Sequence, residues 1–402
     1  MQRKIGLILG GGGARAAYQV GVLKAIAKIL PRAAPSPFAV VCGTSAGAIN
    51  AAALAMNAGN FRGSVKQLLS FWKDFRAENI YRSDPIGAFS NSGLWLAGLI
   101  LSFMGFNKLT HVSLLDNSPL RRLLKETLPL NRIQESLDAG YLHALGIAAS
   151  GFTSEQSVTF FQAQKDVQGW QRAQRIGLPA RIEIDHLLAS SAIPFLFPAV
   201  RINREFFGDG SMRQMAPISS ALHLGARRVM IISMGQSDLQ PPERIRVTDH
   251  PSLAQIAGHT LNSIFLDSTE VDLERLRRIN HTLSLVHEER RSHTTLRHID
   301  VLVIEPSQRV DAIARRYVSN LPWSIRFMLR GVGAMSTSGA NLASYLLFEK
   351  GFCRALIELG YRDAMKRSEE ILAFLSSGTE TRIADSVLKT PNGSASSGHM
   401  DV

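Results

Sequence analysis

The sequence is poor in cysteine, and this limits the classes of protein it can belong to. Its two cysteines, Cys42 and Cys353, cannot form a disulfide framework, which argues against a disulfide-built secreted domain. They lack the spacing of metal ligands and no histidine cluster suggests zinc, so we expect no metal and no organic cofactor. The first apolar run ends at Leu9, too early for a signal peptide, and this favours a cytoplasmic protein.

The sequence also lacks an apolar segment that we expect to cross a bilayer. The segment 93–106 is uncharged and apolar except for Ser102, but a spanning helix needs about 20 such residues. Three interpretations stay open for 93–106, namely an interfacial helix, a lid over an acyl pocket and a buried core helix.

Acidic residues are scarce relative to basic ones. The chain has 45 lysines and arginines against 33 aspartates and glutamates, a net charge of +12. This excess suits peripheral contact with an anionic membrane, which we expect at the inner face of the cell membrane. No recognisable nucleic-acid-binding module accompanies the charge, so no nucleic-acid partner is expected. The oligomeric state stays open.

A glycine loop follows the first predicted strand. The strand 4–9 leads into Gly10, Gly11, Gly12 and Gly13, after which a helical pattern begins. Unpaired N–H groups at such a turn, beside the positive end of a helix dipole, can hold a phosphate or a developing oxyanion. A Walker A loop is excluded because no Lys-Ser or Lys-Thr follows. A dinucleotide fingerprint stays open, because Gly11 and Gly13 can be followed by Ala16 as its third small residue.

A possible nucleophile lies at the next predicted strand-to-helix turn. The strand 38–42 is followed by Gly43-Thr44-Ser45-Ala46-Gly47 and then by a helical run of alanines. G-x-S-x-G at such a turn is typical of a nucleophile elbow, in which Gly43 and Gly47 allow the backbone to pass closely. Ser45 would then stand at a helix N-terminus, where partial positive charge favours its attack.

The base that would activate Ser45 has two kinds of candidate. His287 and His298 could complete a Ser-His-Asp triad, but both lie among charged residues without a flanking turn. Asp209 follows the predicted strand 205–207 and lies between two glycines, which presents its carboxylate at a turn. A carboxylate can deprotonate serine if burial raises its basicity.

Three blocks together resemble the patatin-like phospholipases. They are Gly11-Gly12-Gly13-Ala14-Arg15, Gly43-Thr44-Ser45-Ala46-Gly47 and Asp209-Gly210, in the order and approximate spacing of that family. The segment Ala189–Pro194 is similar to a further family stretch. The resemblance covers about residues 4–235. Two positions depart from the family pattern, with Ala16 in place of a glycine and Ser211 in place of a glycine or alanine.

The resemblance implies a Ser–Asp dyad without histidine, with Ser45 as nucleophile and Asp209 as base. It also implies an oxyanion hole formed by Gly11, Gly12 and Gly13, with Arg15 helping to fix that loop. The implied activity is lipid acyl hydrolysis, as a phospholipase A, lysophospholipase or carboxylesterase acting on phospholipid or another acyl ester. A transacylase with the same dyad, a non-catalytic lipid-binding regulatory protein and a Rossmann-type oxidoreductase are the alternatives.

Hydrophobic periodicity predicts an α/β fold. Strands are expected at 4–9, 38–42, 143–149, 157–162, 205–207, 227–233 and 299–304. Helical patterns between several of these strands predict a three-layer α/β/α arrangement with a mainly parallel central sheet, followed by a C-terminal helical region. We expect a catalytic domain over 1–305, a helical appendage over 306–375 and a disordered tail over 376–402.

Overall fold

The computed structural model describes residues 4–82, 113–235, 250, 253–291, 293–331 and 340–376. Within these ranges the strands are β1 Ile5–Leu9, β2 Val40–Thr44, β3 Ala144–Gly151, β4 Ser157–Ala163, β5 Trp170–Arg172, β6 Arg175–Pro179, β7 Val200–Ile202, β8 Glu205–Asp209, β9 Arg228–Ile232 and β10 Asp300–Ile304.

Helices connect most of these strands and follow the last one. The helices are α1 Ala17–Ile29, α2 Ala46–Ala55, α3 Phe61–Lys73, α4 Ser118–Thr127, α5 Arg132–Asp138, α6 Ile184–Ser190, α7 Pro217–His223, α8 Leu253–Asn262, α9 Ser268–Leu285, α10 Glu288–Arg291, α11 Val310–Arg315, α12 Trp323–Gly331, α13 Ala340–Leu346, α14 Lys350–Lys366 and α15 Ser368–Ser376. A π-helical turn, Ser263–Asp267, joins α8 to α9.

One mixed sheet forms the centre of the fold. Its strands follow the order β10-β9-β1-β2-β3-β4-β6-β5, and β8 pairs with both β3 and β7. The strands from β10 to β3 are parallel to one another, whereas β4 and β8 run antiparallel to β3. The predicted α/β fold with a central, largely parallel sheet is therefore confirmed.

Helices cover both faces of this sheet. On β1, Leu7 and Leu9 belong to the larger hydrophobic cluster, which α1 and α2 also line, whereas Ile8 belongs to a second cluster with residues of α7 and α9. Burial on both faces explains why the central strands are apolar without a polar–apolar alternation. The C-terminal helices follow the sheet, as predicted.

The C-terminal helix α14 packs directly on α1. Asp363 is buried at this contact, where it accepts hydrogen bonds from the Tyr18 hydroxyl (3.2 Å) and from the amide and hydroxyl of Ser307 (3.0 and 2.6 Å). The division of the chain into 1–305, 306–375 and 376–402 stays a prediction.

Most of the predicted elements are present, with shifted ends. All seven predicted strands occur, and β5, β6 and β7 are additional. The helical patterns 351–359 and 362–375 of the sequence predict a break near residue 360, whereas the structure has one continuous helix, Lys350–Lys366. The segment 93–106 and the tail from 377 onward lie outside the described residues. No described helix is long and apolar enough to cross a membrane.

Candidate active site

Ser45 occupies a strained turn between β2 and α2. Its backbone has φ 55° and ψ −131°, a conformation that is costly for a residue with a side chain. It is the residue immediately before the first turn of α2, so the N-terminal end of the helix dipole lies beside it. The structure thus has the elbow geometry that the motif predicts.

The two glycines of the motif allow this turn. A Cβ on Gly47 would collide with the carbonyl oxygen of Leu9, so α2 could not begin so close to the end of β1. A Cβ on Gly43 would lie 2.5 Å from the Gly47 carbonyl oxygen and 2.6 Å from the Ala48 Cα. Close approach of backbone to backbone therefore requires glycine at both positions.

Side chains from outside the motif hold the elbow. The Ser45 amide donates to Ser190 Oγ at 2.9 Å, and the Thr44 hydroxyl donates to Gln214 Oε1 at 2.6 Å. Ser190 ends α6 and is fully buried, and Gln214 follows the turn after β8. No role for Ser190 or Gln214 was predicted from the sequence, although Ser190 lies within the family-like segment Ala189–Pro194.

Strand register brings Asp209 beside the elbow. Thr44 at the end of β2 pairs with Ala148 of β3, and Asp209 pairs with the next residue of the same strand, Ala149. Neighbouring residues of a strand are about 3.3 Å apart. Beside β3, β8 therefore begins to pair at the point where β2 stops, which is next to Ser45. Residues 164 positions apart in the sequence (209 − 45) are thereby neighbours.

The Asp209 carboxyl is fully buried and has one free oxygen. Oδ1 accepts the Ser211 amide at 2.9 Å, whereas Oδ2 has no hydrogen-bond partner among the described residues. Burial raises the pKa of Asp209 to about 6, against the opposing effects of the nearby Ser45 hydroxyl and the Ser211 amide. The Ser45 hydroxyl favours the charged carboxylate and so opposes the effect of burial on the pKa of Asp209, although Oδ2 makes no hydrogen bond of standard geometry.

The glycine loop lies next to the elbow at the end of β1. Gly12 has φ 153° and Gly13 has φ 55°, and a Cβ on Gly13 would collide with the carbonyl oxygen of Tyr345. A Cβ on Gly11 would lie 2.6 Å from Ser211 Oγ and 2.7 Å from Phe265. Among the described residues, no group accepts a hydrogen bond from the N–H of Gly11 or Gly12. Both donors are therefore available to an oxyanion.

Arg15 anchors the loop to helices from the second half of the chain. Its guanidinium lies 3.9 Å from the centroid of the Tyr345 ring, and its Nε donates to Ser344 Oγ at 2.8 Å. Nη1 donates to Asn262 Oδ1 at 3.4 Å, and the Tyr345 hydroxyl donates to the same oxygen at 2.7 Å. Arg15 is buried, and these contacts place its side chain in a positioning role.

A second buried chain of polar groups fixes the start of the loop. Trp72 Nε1 donates to Asn50 Oδ1 at 2.8 Å, and Asn50 Nδ2 donates to Gln19 Oε1 at 2.9 Å. Gln19 Nε2 then donates to the Gly10 carbonyl at 2.8 Å. These residues were missed in the sequence, because Asn50 and Gln19 look like ordinary polar interruptions of apolar helices.

The geometry argues against the two competing sequence interpretations, a triad through His287 or His298 and a dinucleotide site. His287 is exposed, and His298 precedes β10, whose amino end lies at the sheet edge opposite Ser45. The dinucleotide interpretation needs space beside the second glycine for a pyrophosphate. That space beside Gly13 is filled by the Tyr345 main chain.

We expect the Tyr345→Leu variant to lower kcat about tenfold, because loss of a buried cation–π contact of about 1–2 kcal/mol loosens the glycine loop. Tyr345→Phe keeps the ring under Arg15 and is the matched control, with an expected kcat within about threefold of wild type. Hydrolysis of an acyl ester at saturating substrate, the activity that the sequence resemblance implies, measures both. Equal kcat in wild type and Tyr345→Leu would contradict the anchoring role.

The site geometry agrees with the comparison against protein families. The family model "Patatin-like phospholipase" matches residues 7–222, more than half of the chain, and this range contains Ser45, Asp209, the glycine loop and both elbow glycines. The chain belongs to the patatin-like phospholipase family. This match confirms the family resemblance of the sequence. Patatin-like phospholipases are lipid acyl hydrolases.

Two solved structures are similar to this patatin-like chain. VipD from Legionella pneumophila is 12% identical, with 92% of this chain and 67% of that chain covered and a TM-score of 0.34. The type III effector protein ExoU is 17% identical, with coverages of 86% and 78% and a TM-score of 0.24. At these TM-scores neither likeness bears on function. No curated protein matches the chain.

Proposed function

We propose that the protein is a serine acyl hydrolase that cleaves lipid carboxylic esters through a Ser45–Asp209 dyad. The observation that carries this proposal is the sheet register, which brings a buried carboxyl with one unpaired oxygen beside the strained serine. Family membership supports the substrate class.

The proposed first step is attack by Ser45 Oγ on the ester carbonyl. As the Oγ–carbon bond forms, the Ser45 proton passes to Asp209 Oδ2, which holds no other hydrogen bond. A pKa of about 6 leaves this carboxylate ionised at neutral pH yet more basic than an exposed aspartate. The alcohol leaves with a proton returned by Asp209, and an acyl-serine remains.

The second step is transfer of the acyl group to water. Asp209 takes a proton from the water while the water oxygen attacks the acyl carbon. The bond between the acyl carbon and Ser45 Oγ then breaks, Asp209 returns the proton to Ser45 Oγ, and the fatty acid leaves. In both steps the carbonyl oxygen becomes an oxyanion beside Gly11 and Gly12. A donor of this kind contributes about 3 kcal/mol to transition-state stabilisation.

Access to the dyad requires movement. Ser45 is 1% exposed and Asp209 is fully buried, so an ester reaches Ser45 Oγ only after covering side chains shift. Phe265, from the π-helical turn, contacts the Gly11 side of the loop and stacks on Tyr345 with ring centroids 5.1 Å apart. We therefore expect slow turnover of small soluble esters.

The test combines covalent labelling with product analysis. A fluorophosphonate probe is expected to add to Ser45, located by peptide mass spectrometry, and wild-type protein is expected to release fatty acid from phosphatidylcholine, its lyso form or a p-nitrophenyl ester. Added glycerol as an alternative acceptor distinguishes hydrolysis from acyl transfer. Probe addition elsewhere, or neither labelling nor acyl cleavage, would contradict the proposal.

A further inference from the structure

Large apolar side chains are exposed at the end of the sheet where Ser45 and Asp209 lie. Phe152 is 50% exposed and Phe206 is 46% exposed. Phe152 follows the last residue of β3, and its amide donates to the Phe206 carbonyl at 3.0 Å. A Cβ on Gly208, two residues from Phe206 and so on the same face of β8, would touch both the Phe152 ring and Met212 Sδ. Phe152 and Phe206 therefore form one patch, with Met212 beside the Phe152 ring.

The β7–β8 hairpin carries this patch beyond the end of the sheet. Only Phe207, Gly208 and Asp209 of β8 pair with β3, so Glu205 and Phe206 extend past the end of that strand. Because β8 runs antiparallel to β3, Glu205 and Phe206 lie beyond the carboxyl end of β3. Ser45 follows the carboxyl end of the parallel strand β2, so both lie at the same end of the sheet. The hairpin therefore stands at the rim of the candidate active site.

A further exposed aromatic lies on the other side of β8. The Asp209 amide donates to the Ala192 carbonyl at 2.9 Å, and Phe195 lies three residues further along the same loop. Phe195 is 74% exposed and has φ 65°, an unfavourable conformation for an aromatic residue. Exposure of such a side chain on a strained backbone, three residues from the contact with Asp209, indicates a role outside the core.

The charges beside these aromatics are mainly positive. Arg201 and Arg204 are exposed on the β7–β8 hairpin, and Arg201 is the register partner of Phe206. The acidic residue of the hairpin, Glu205, is engaged by the backbone amides of Thr153 and Ser154 at 2.9 and 2.6 Å. The hairpin therefore presents arginine and phenylalanine together to the outside.

We propose that this rim, defined by Phe152, Phe195, Arg201, Arg204 and Phe206, docks on the surface of an anionic phospholipid bilayer. Aromatic side chains favour the interface between acyl chains and headgroups, and exposed arginines add electrostatic attraction to anionic headgroups. A charge of +12 for the whole chain acts in the same direction. The proposal rests on the proposed function, because docking there would bring ester groups of the bilayer to the Ser45 edge.

The experiment measures binding of the full-length protein to vesicles by co-sedimentation. Phosphatidylcholine vesicles are compared with vesicles that also contain phosphatidylglycerol. The double variant Phe195→Ser/Phe206→Ser is expected to lower the partition coefficient at least about tenfold, because two aromatic anchors are lost. Arg201→Gln/Arg204→Gln is expected to weaken binding to the anionic vesicles selectively and to reduce its salt dependence.

Tyr141→Ser is the matched control. Tyr141 is 48% exposed but precedes β3, at the sheet edge opposite Ser45, so its loss is expected to leave vesicle binding unchanged. Hydrolysis of a soluble p-nitrophenyl ester is expected to stay within about twofold of wild type in all three variants. This readout separates the two proposals, since failure of the proposed function removes ester hydrolysis in wild type, whereas failure of the docking proposal leaves it intact.

Two results would overturn the docking proposal. One is equal vesicle binding by wild type and Phe195→Ser/Phe206→Ser. The other is a concentration-dependent dimer in solution that the same double variant abolishes without vesicles, which would make the rim a contact between two copies of the chain.

Discussion

Replacing Ser45 by alanine is expected to lower kcat/KM for an acyl ester at least about 10⁴-fold, because no acyl-enzyme can form. The contacts that hold the elbow do not involve the hydroxyl, since Ser190 binds the Ser45 amide. The fold of Ser45→Ala should therefore match wild type by circular dichroism. Residual turnover above about 1% of wild type would mean that another group performs the attack.

The stability of Ser45 variants tests the strain at the elbow. A residue with a side chain at φ 55° and ψ −131° is destabilised by about 1–3 kcal/mol of backbone strain, and this strain is absent for glycine. We expect Ser45→Gly to be more stable than Ser45→Ala by about 1–2 kcal/mol, against the usual loss of about 0.5–1 kcal/mol for glycine at an ordinary position.

Denaturant unfolding measures this difference, and Ala46 supplies the control. Ala46 is the first residue of α2 and has no positive φ, so Ala46→Gly should destabilise the protein. If Ser45→Gly lowers the unfolding free energy as much as Ala46→Gly does, the backbone at Ser45 is not strained.

The local sequence was sufficient to predict the strand–turn–helix elbow at Ser45, whereas the catalytic role of Ser45 stays a prediction. Gly43, Ser45 and Gly47 mark an elbow because this spacing falls between a predicted strand and a predicted helix, since the motif by itself is a weak signal. From its turn Asp209 was one of two kinds of candidate base, and the family resemblance favoured it, because the register between β8 and β3 depends on contacts far apart in the sequence.

The supporting residues could not be predicted from the sequence, for physical reasons. Asn50 and Gln19 stabilise the glycine loop only because helices α1 and α2 pack with these two side chains in contact. Tyr345 reaches Arg15 from 330 positions away (345 − 15), on a helix without a motif. Such contacts are set by tertiary packing, which local periodicity does not encode.

The Asp209→Asn variant is expected to lower kcat/KM about 10³–10⁴-fold, because an amide cannot accept the Ser45 proton. In wild type the base must be ionised, so kcat/KM should rise with pH, reach half its maximum near the pKa of about 6 and stay level above pH 7. Fatty-acid release measured in a pH-stat gives this profile.

Asp272→Asn is the control for the pH profile. Asp272 is a second buried carboxyl whose pKa is raised by burial, but it accepts the Ile218 amide at 3.0 Å on the far face of the sheet. The variant should keep the rise of kcat/KM around pH 6. A wild-type rate that is constant from pH 5 to pH 8 would contradict the role of Asp209 as base.

The same carboxyl makes stability depend on pH with a defined sign. Burial raises the pKa of Asp209 in the folded state above its unfolded value, so the folded protein holds the proton more tightly. Its contribution to stability is therefore fully present below about pH 4 and is lost as pH rises through about 6. At pH 8 the ionised carboxylate costs about 3 kcal/mol relative to low pH, for a pKa shift of about two units.

Asparagine at position 209 removes this titration. The difference in unfolding free energy between Asp209→Asn and wild type should therefore grow in favour of the variant, by about 1.4 kcal/mol from pH 5 to pH 8. The change with pH is the test, because a constant offset reflects only how well the amide fits beside Ser211. Urea unfolding at both pH values measures it. A difference that stays flat or shrinks would mean that Asp209 titrates as an ordinary exposed acid, and that the site lacks the desolvation on which its basicity depends.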